Sequence, residues 1–181
     1  MPTDWDLDKL EILVYPDPRL RKRCAPVEEF NGRLAALAAK MIEMMRAARG
    51  VGLAAPQVGV LLRMFVANTT GKPDDDRVFV NPVIVEPEGA KEASEGCLSL
   101  PDVEVQVRRA LRCRVRAYDL SGRPFECAGE ELPARVWQHE TDHLDGVLIL
   151  DRMGPADKIA TRKRLRELEA EHRERLRGAK T

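Results

Sequence analysis

The feature that most restricts this chain is the run His139-Glu140-Thr141-Asp142-His143. Two histidines four apart can serve one ion on a helix, where residues i and i+4 stand about 40° apart around the axis and about 6 Å along it. The flanks agree with a helix. Pro133 suits a first turn, Gly146 suits a left-handed stop, and Val136, His139, His143 and Leu144 share one face. Glu140, beside the first histidine, is placed to contact a water on that ion rather than the ion itself. A surface helix with fortuitously aligned histidines would show the same spacing, but the bracketed apolar face argues for a buried one.

Two histidines leave a catalytic centre one protein ligand short, because three protein donors and a water are usual. A third histidine six residues on would fall at position 149, which is isoleucine. His172 lies in a charged stretch and reads as a solvated helix residue. Cysteine is the remaining soft donor. Cys97 sits in Ser94-Glu95-Gly96-Cys97-Leu98-Ser99-Leu100-Pro101, where the glycine and proline imply a bent, exposed backbone beside a strand. Cys24, Cys113 and Cys127 read as core or half-buried thiols. A Cys/His₂ donor set taken alone reads as zinc.

The 181 residues suit a single domain over 1–181. Thirty basic residues balance thirty acidic ones, so no global basic field calls for nucleic acid, and DNA is not expected as a partner. No apolar run is long enough for a membrane helix. The acidic opening opposes a secretory or transit signal, and four cysteines in a core-sized domain do not suggest a disulfide framework, so a cytoplasmic location is expected.

Apolar Leu34, Leu37, Met41, Met44, Met45 and Ala48 follow a helical period, with Asn31 as cap and Gly50 as stop. Gly50 to Gly59 reads as a shaped loop. Strands are expected at roughly 62–68 and 77–85, and at the alternating Val103, Val105 and Val107. Residues 113–119 and 123–127 flank Leu120-Ser121-Gly122 as a hairpin. Pro133 and Pro155 open two further helices, to about 146 and 177. Helix, then strands, then helices predicts an α+β fold.

Three segments together resemble the signature motifs of the peptide deformylase family, in matching order and separation. They are Gly50-Val51-Gly52-Leu53-Ala54-Ala55-Pro56-Gln57, Glu95-Gly96-Cys97-Leu98-Ser99 and Gln138-His139-Glu140-Thr141-Asp142-His143. The likeness extends through Tyr15-Pro16-Asp17-Pro18-Arg19-Leu20-Arg21, Asn81-Pro82 and Leu144-Asp145-Gly146, over roughly residues 10–155. It implies small antiparallel sheets around a central HExxH helix, with an N-terminal and a C-terminal helix. It implies one divalent ion per chain on Cys97, His139 and His143: Fe²⁺, with Zn²⁺, Ni²⁺ or Co²⁺ able to occupy the site. It makes Glu140 the general base and later the general acid, and gives the oxyanion to the Gln57 side chain and the Leu98 backbone N–H. It places Gly52 along the substrate cleft, and Val51, Glu95, Leu132 and Val136 around the methionine pocket. The implied reaction removes the N-formyl group from the initiating methionine of nascent polypeptides, releasing formate.

Arg135 stands where the family carries an apolar residue, which puts the fine shape of the methionine pocket in question. Glu95 is expected to pair with Arg109 as an orienting group. From Pro155 to Thr181 there are nine Lys/Arg and five acids, so zero net charge hides a basic end of +4. That tail reads as a solvated helix or, by resemblance, as a ribosome contact; residues after about 160 are expected to be dispensable for cleaving a small formyl peptide. The competing readings are another HExxH metallopeptidase or amidase, and a non-catalytic metal-stabilised module. Glu140 beside an open coordination position speaks against the module.

Overall fold

In the computed structural model, which describes residues 5–178, α1 spans Gly32–Ala47. Met1–Asp4 and Ala179–Thr181, with Lys180 of the basic tail, lie outside the described residues. The Asn31 side chain starts α1 by accepting from the N–H groups of Arg33 and Leu34, each at 3.1 Å. Leu34, Leu37, Ala38, Met41 and Met45 form its buried stripe. The expected stop at Gly50 needs correction. Arg49 takes the left-handed position, at φ 56°, and Gly50 donates back to the Met45 carbonyl at 2.9 Å. Gly50 serves a close approach instead: a Cβ there would stand 2.8 Å from Cδ1 of Leu98.

The segment read as a loop after Gly50 contains a short strand, β1 (Gly52–Ala54), and a 3₁₀ turn, Ala55–Val58. Three residues make a strand here because β2 (Met64–Ala67) pairs along all of them. β3 (Arg77–Glu88) runs three residues further than predicted. β6 (Arg112–Tyr118) and β7 (Pro124–Glu130) form the predicted hairpin, closed by Asp119 N–H donating to the Arg123 carbonyl at 2.9 Å. These strands make one antiparallel sheet in the order β1-β2-β3-β6-β7.

A separate two-stranded sheet joins β4 (Lys91–Cys97) to β5 (Leu100–Arg109). β5 carries the alternating valines, all three buried. β4 was not anticipated, since Ala93 is its one aliphatic side chain; its pairing with β5 makes it a strand.

α2 (Leu132–Leu144) packs Ala134, Val136, Trp137 and Leu144 among Phe65, Phe79 and Val115 of the larger sheet, with the Phe79 and Trp137 rings 5.8 Å apart. The chain then forms α3 (Ile149–Arg152), which was not foreseen, α4 (Pro155–Ala160) and α5 (Arg162–Gly178). The predicted continuous last helix is therefore interrupted at Thr161.

α5 is more than a solvated tail. Leu168 is fully buried with Leu100, Val103 and Leu148. Arg164 Nε donates to the Pro101 carbonyl at 3.2 Å, and the Tyr15 hydroxyl donates to Glu169 at 3.0 Å. Loss of the residues beyond about 160 would uncover that cluster. Among the described residues no helix is long and apolar enough to cross a membrane.

Candidate active site

One turn of α2 separates His139 from His143, and their Nε2 atoms converge to 3.2 Å. Cys97 follows an irregularity in the β4–β5 register at Gly96/Cys97, which turns its side chain toward the helix. Its Sγ lies 3.3 Å from His143 Nε2, and the three donor atoms all fall within 4.8 Å of one another. The expected bend beside the strand is present, with Gly96 exposed and a turn at 98–99, but Cys97 itself is half-buried, with Leu100 and Val103 packed beneath it. The other three thiols stay apart from this group; burial pushes Cys24 up to about 12 and Cys113 up to about 11. His172 lies on α5 close to Asp17 rather than with the donors.

His139 is held from behind. Its Nδ1 meets Glu95 Oε2 at 3.0 Å, leaving Nε2 to face the cysteine side. Glu95 is 6% exposed and takes Arg109 on both oxygens, Nε at 2.7 Å and Nη2 at 2.9 Å. Burial alone would raise the Glu95 carboxyl, but hydrogen bonds from His139 and Arg109 outweigh it and hold it at about 2. Arg109 also reaches Asp142 on α2 at 2.7 Å.

The donors fit a cation. Burial opposes a charge on His139, yet the Cys97 and Glu95 hydrogen bonds and the nearby Glu140 draw it up to about 10. His143, buried and facing His139 and Arg109, is pushed well down. The group therefore calls for positive charge where only one imidazole can take a proton. A divalent ion on one thiolate and two neutral imidazoles meets that demand more fully.

A cleft of about 490 Å³ opens above these atoms. Every predicted site residue lines it except His143, which is buried behind His139. Glu140 is 4% exposed, its Oε2 has no hydrogen-bond partner among the described residues, and burial pushes its carboxyl up to about 7. Gln57 is fixed in orientation: Oε1 accepts from Ala54 N–H at 2.8 Å, while Nε2 donates to Ser99 Oγ at 3.2 Å and lies 3.6 Å from Cys97 Sγ. Leu98 lies in the turn after Cys97. Val51 and Leu132 are exposed at the mouth, and Val136 is buried in the wall. Glu95 borders the cleft, but both its oxygens are engaged by Arg109, Arg135 and His139. Its polar atoms serve the histidine and the two arginines, while the residue itself lines the cleft as expected.

Sequence reasoning missed the parts played by Ser99 and by the Arg135 guanidinium. Ser99 is wholly buried and its hydroxyl receives Gln57; the signal was its place two residues after Cys97. Arg135 lines the cleft and directs its guanidinium to Glu95 and two backbone carbonyls.

Fold and donors together define a class: an α+β protein with a possible Cys/His metal site beside a buried carboxylate. Residues 9–159 match the family described as polypeptide deformylase. A peptide deformylase of Acidobacterium capsulatum is 46% identical over 160 residues, which is 87% of this chain and 94% of the relative. The crystal structure of a peptide deformylase from Legionella pneumophila matches with a TM-score of 0.84 at 44% identity, covering 90% of this chain and 96% of that one. An inhibitor-bound Arabidopsis thaliana peptide deformylase matches at 0.88 and 37%, covering 92% and 93%. The chain belongs to the polypeptide deformylase family.

Proposed function

We propose that this chain removes the N-formyl group from the formyl-methionine that opens newly made polypeptides, leaving formate and a free amino terminus. The observation that carries this is that the Cys97, His139 and His143 donors cluster within 4.8 Å while Glu140, outside that set, lines the same cleft. Cys97 Sγ and the Nε2 atoms of His139 and His143 would hold one divalent ion, Fe²⁺ by family resemblance, with Zn²⁺, Ni²⁺ or Co²⁺ able to replace it. When bound, the ion supplies Lewis acidity, lowering the pKa of water toward neutrality and polarising the formyl carbonyl.

The chain's own residues do the rest. Glu140 takes a proton from the attacking water, then delivers it to the amide nitrogen as the C–N bond breaks. Burial pushes this carboxyl up from its ordinary range, which favours its taking and then returning a proton. Gln57 Nε2 and the Leu98 backbone N–H donate to the oxygen that becomes anionic. Gln57 is neutral and already oriented, so it can donate without reorganising. Val51, Glu95, Leu132 and Val136 border the methionine side chain, and Gly52 lines the cleft along which the peptide lies.

The HExxH helix is the centre of this single catalytic unit, with both sheets arranged about it. The exposed Arg162, Arg166 and Arg173 of α5 offer a basic face to ribosomal RNA, and nascent substrates place the enzyme in the cytoplasm. The test is formate release from a formyl-Met tripeptide, run beside a longer unformylated peptide. Formate from the first and an intact second support the reading; internal cleavage of the second would favour a different HExxH peptidase.

A further inference from the structure

The proposed metal site lies on a seam. His139 and His143 ride on α2, which packs on the five-stranded sheet. Cys97 belongs to the β4–β5 hairpin, whose inner face packs with α3 and α5 in a different apolar cluster. Donors from two bodies must stay in register to within tenths of an ångström to hold one ion. Long polar side chains cross between helix and hairpin. Arg109 reaches from β5 to Asp142, and Gln138 pairs with the backbone of Ala110 just past β5.

Arg135 makes the crossing with the most partners. It lies on α2 one turn before His139, and its side chain is 13% exposed. Nη1 donates to Glu95 Oε1 at 2.6 Å and to the Val107 carbonyl at 2.9 Å; Nη2 donates to the Lys91 carbonyl at 2.8 Å. One guanidinium thus ties the ligand-bearing helix to both strands of the cysteine-bearing hairpin. It also fixes the carboxylate that holds His139. The same residue borders the cleft beside Leu132 and Val136.

We infer that Arg135 is a positioning residue: it aligns the helix histidines with Cys97 by tying α2 to the hairpin and loading Glu95 against His139. The inference rests on the proposed metal reading of Cys97, His139 and His143. Arg109 alone does not substitute for it, because Arg109 issues from β5 and holds Glu95 within the hairpin, with one link to the helix at Asp142. Removal of the Arg135 head leaves Glu95 gripped from its own sheet while the link beside His139 is lost. The consequence falls on ion affinity and turnover more than on substrate binding.

Arg135→Met keeps a stem of similar width and deletes the head; Arg135→Lys keeps a charge that can still reach one acceptor. Full-length metal-free proteins are titrated anaerobically with Co²⁺ against a competing chelator, and kcat and KM are measured with a formyl-Met tripeptide. Arg135→Met is expected to weaken Co²⁺ binding about 10-fold or more and to lower kcat, with KM within about twofold of wild type. Arg135→Lys is expected to fall between, and it carries the test if the methionine variant does not fold. Wild-type Co²⁺ affinity in both variants, or a change confined to KM, would overturn the inference. A wild-type protein that takes up no Co²⁺ would instead sink the metal reading beneath it.

Discussion

Gly52 lies directly against Glu140: a Cβ at Gly52 would stand 2.8 Å from the Cδ of the Glu140 carboxyl and closer still to its Oε1. The contact explains why β1 enters the cleft with a glycine. Room for an approaching peptide is one use of it; room for the carboxylate is the one the structure shows. Gly52→Ala is expected to fold with a melting temperature near that of wild type and to lose activity about 100-fold, because Glu140 must move off its proton-transfer position. Wild-type kcat in that variant would contradict the assigned geometry.

The Arg109–Glu95 pair is almost wholly inside the protein, with side chains 4% and 5% exposed. Removing one partner of such a pair leaves a buried charge short of its ligand. Arg109→Ala is expected to cost about 3 kcal/mol, toward the lower end for buried pairs since Arg135 and His139 still contact Glu95. Chemical denaturation of the metal-free protein checks this. An unchanged midpoint would mean the pair does not hold the hairpin.

α5 separates two properties that the sequence blurred together. Leu168→Ala is expected to cost about 3 kcal/mol through the cavity it opens beside Leu100 and Val103. Charge reversal at the exposed Arg166 and Arg173 is expected to leave melting and small-peptide hydrolysis unchanged while weakening salt-sensitive ribosome sedimentation. Equal sedimentation by the reversed protein would dismiss the basic face as a contact.

Cys24 supplies a pH prediction. Burial holds its folded pKa at about 12, above the 9.0 of a free thiol, so the folded state retains a proton the unfolded chain releases. Its contribution is complete below about pH 9 and is lost as pH rises toward 12, by up to about 1.4 kcal/mol per pH unit. Cys24→Ser is expected to flatten the fall in melting temperature between roughly pH 9 and 11, relative to wild type. Parallel curves for the two proteins would show that this thiol does not titrate as described.

Legibility in the sequence followed locality. α1, α2 and the β6–β7 hairpin carry their own periodicity, caps and turn residues, so they could be read without a partner. β4 could not, because its order comes from β5 and its own side chains show no apolar alternation. The two histidines were nameable from their spacing and Cys97 from its surrounding motif, and the donor atoms of the three side chains lie within 4.8 Å of one another. Arg135 was visible only as a departure: its partners Lys91 and Glu95 are 44 and 40 residues away, and no local pattern encodes that meeting. The expected Glu95–Arg109 pair is present, although Glu95 stands opposite Val105 in the ladder and the arginine side chain spans the offset.

The most direct test of the whole account is formate release by Glu140→Gln, with metal content measured in the same preparation. The account predicts one bound ion per chain, as in wild type, with turnover of a formyl-Met tripeptide reduced by about 100-fold or more, the scale of a lost general acid–base. Full turnover with the ion bound would contradict it, since the carboxylate placed beside the donors would then have no part in the proton transfers.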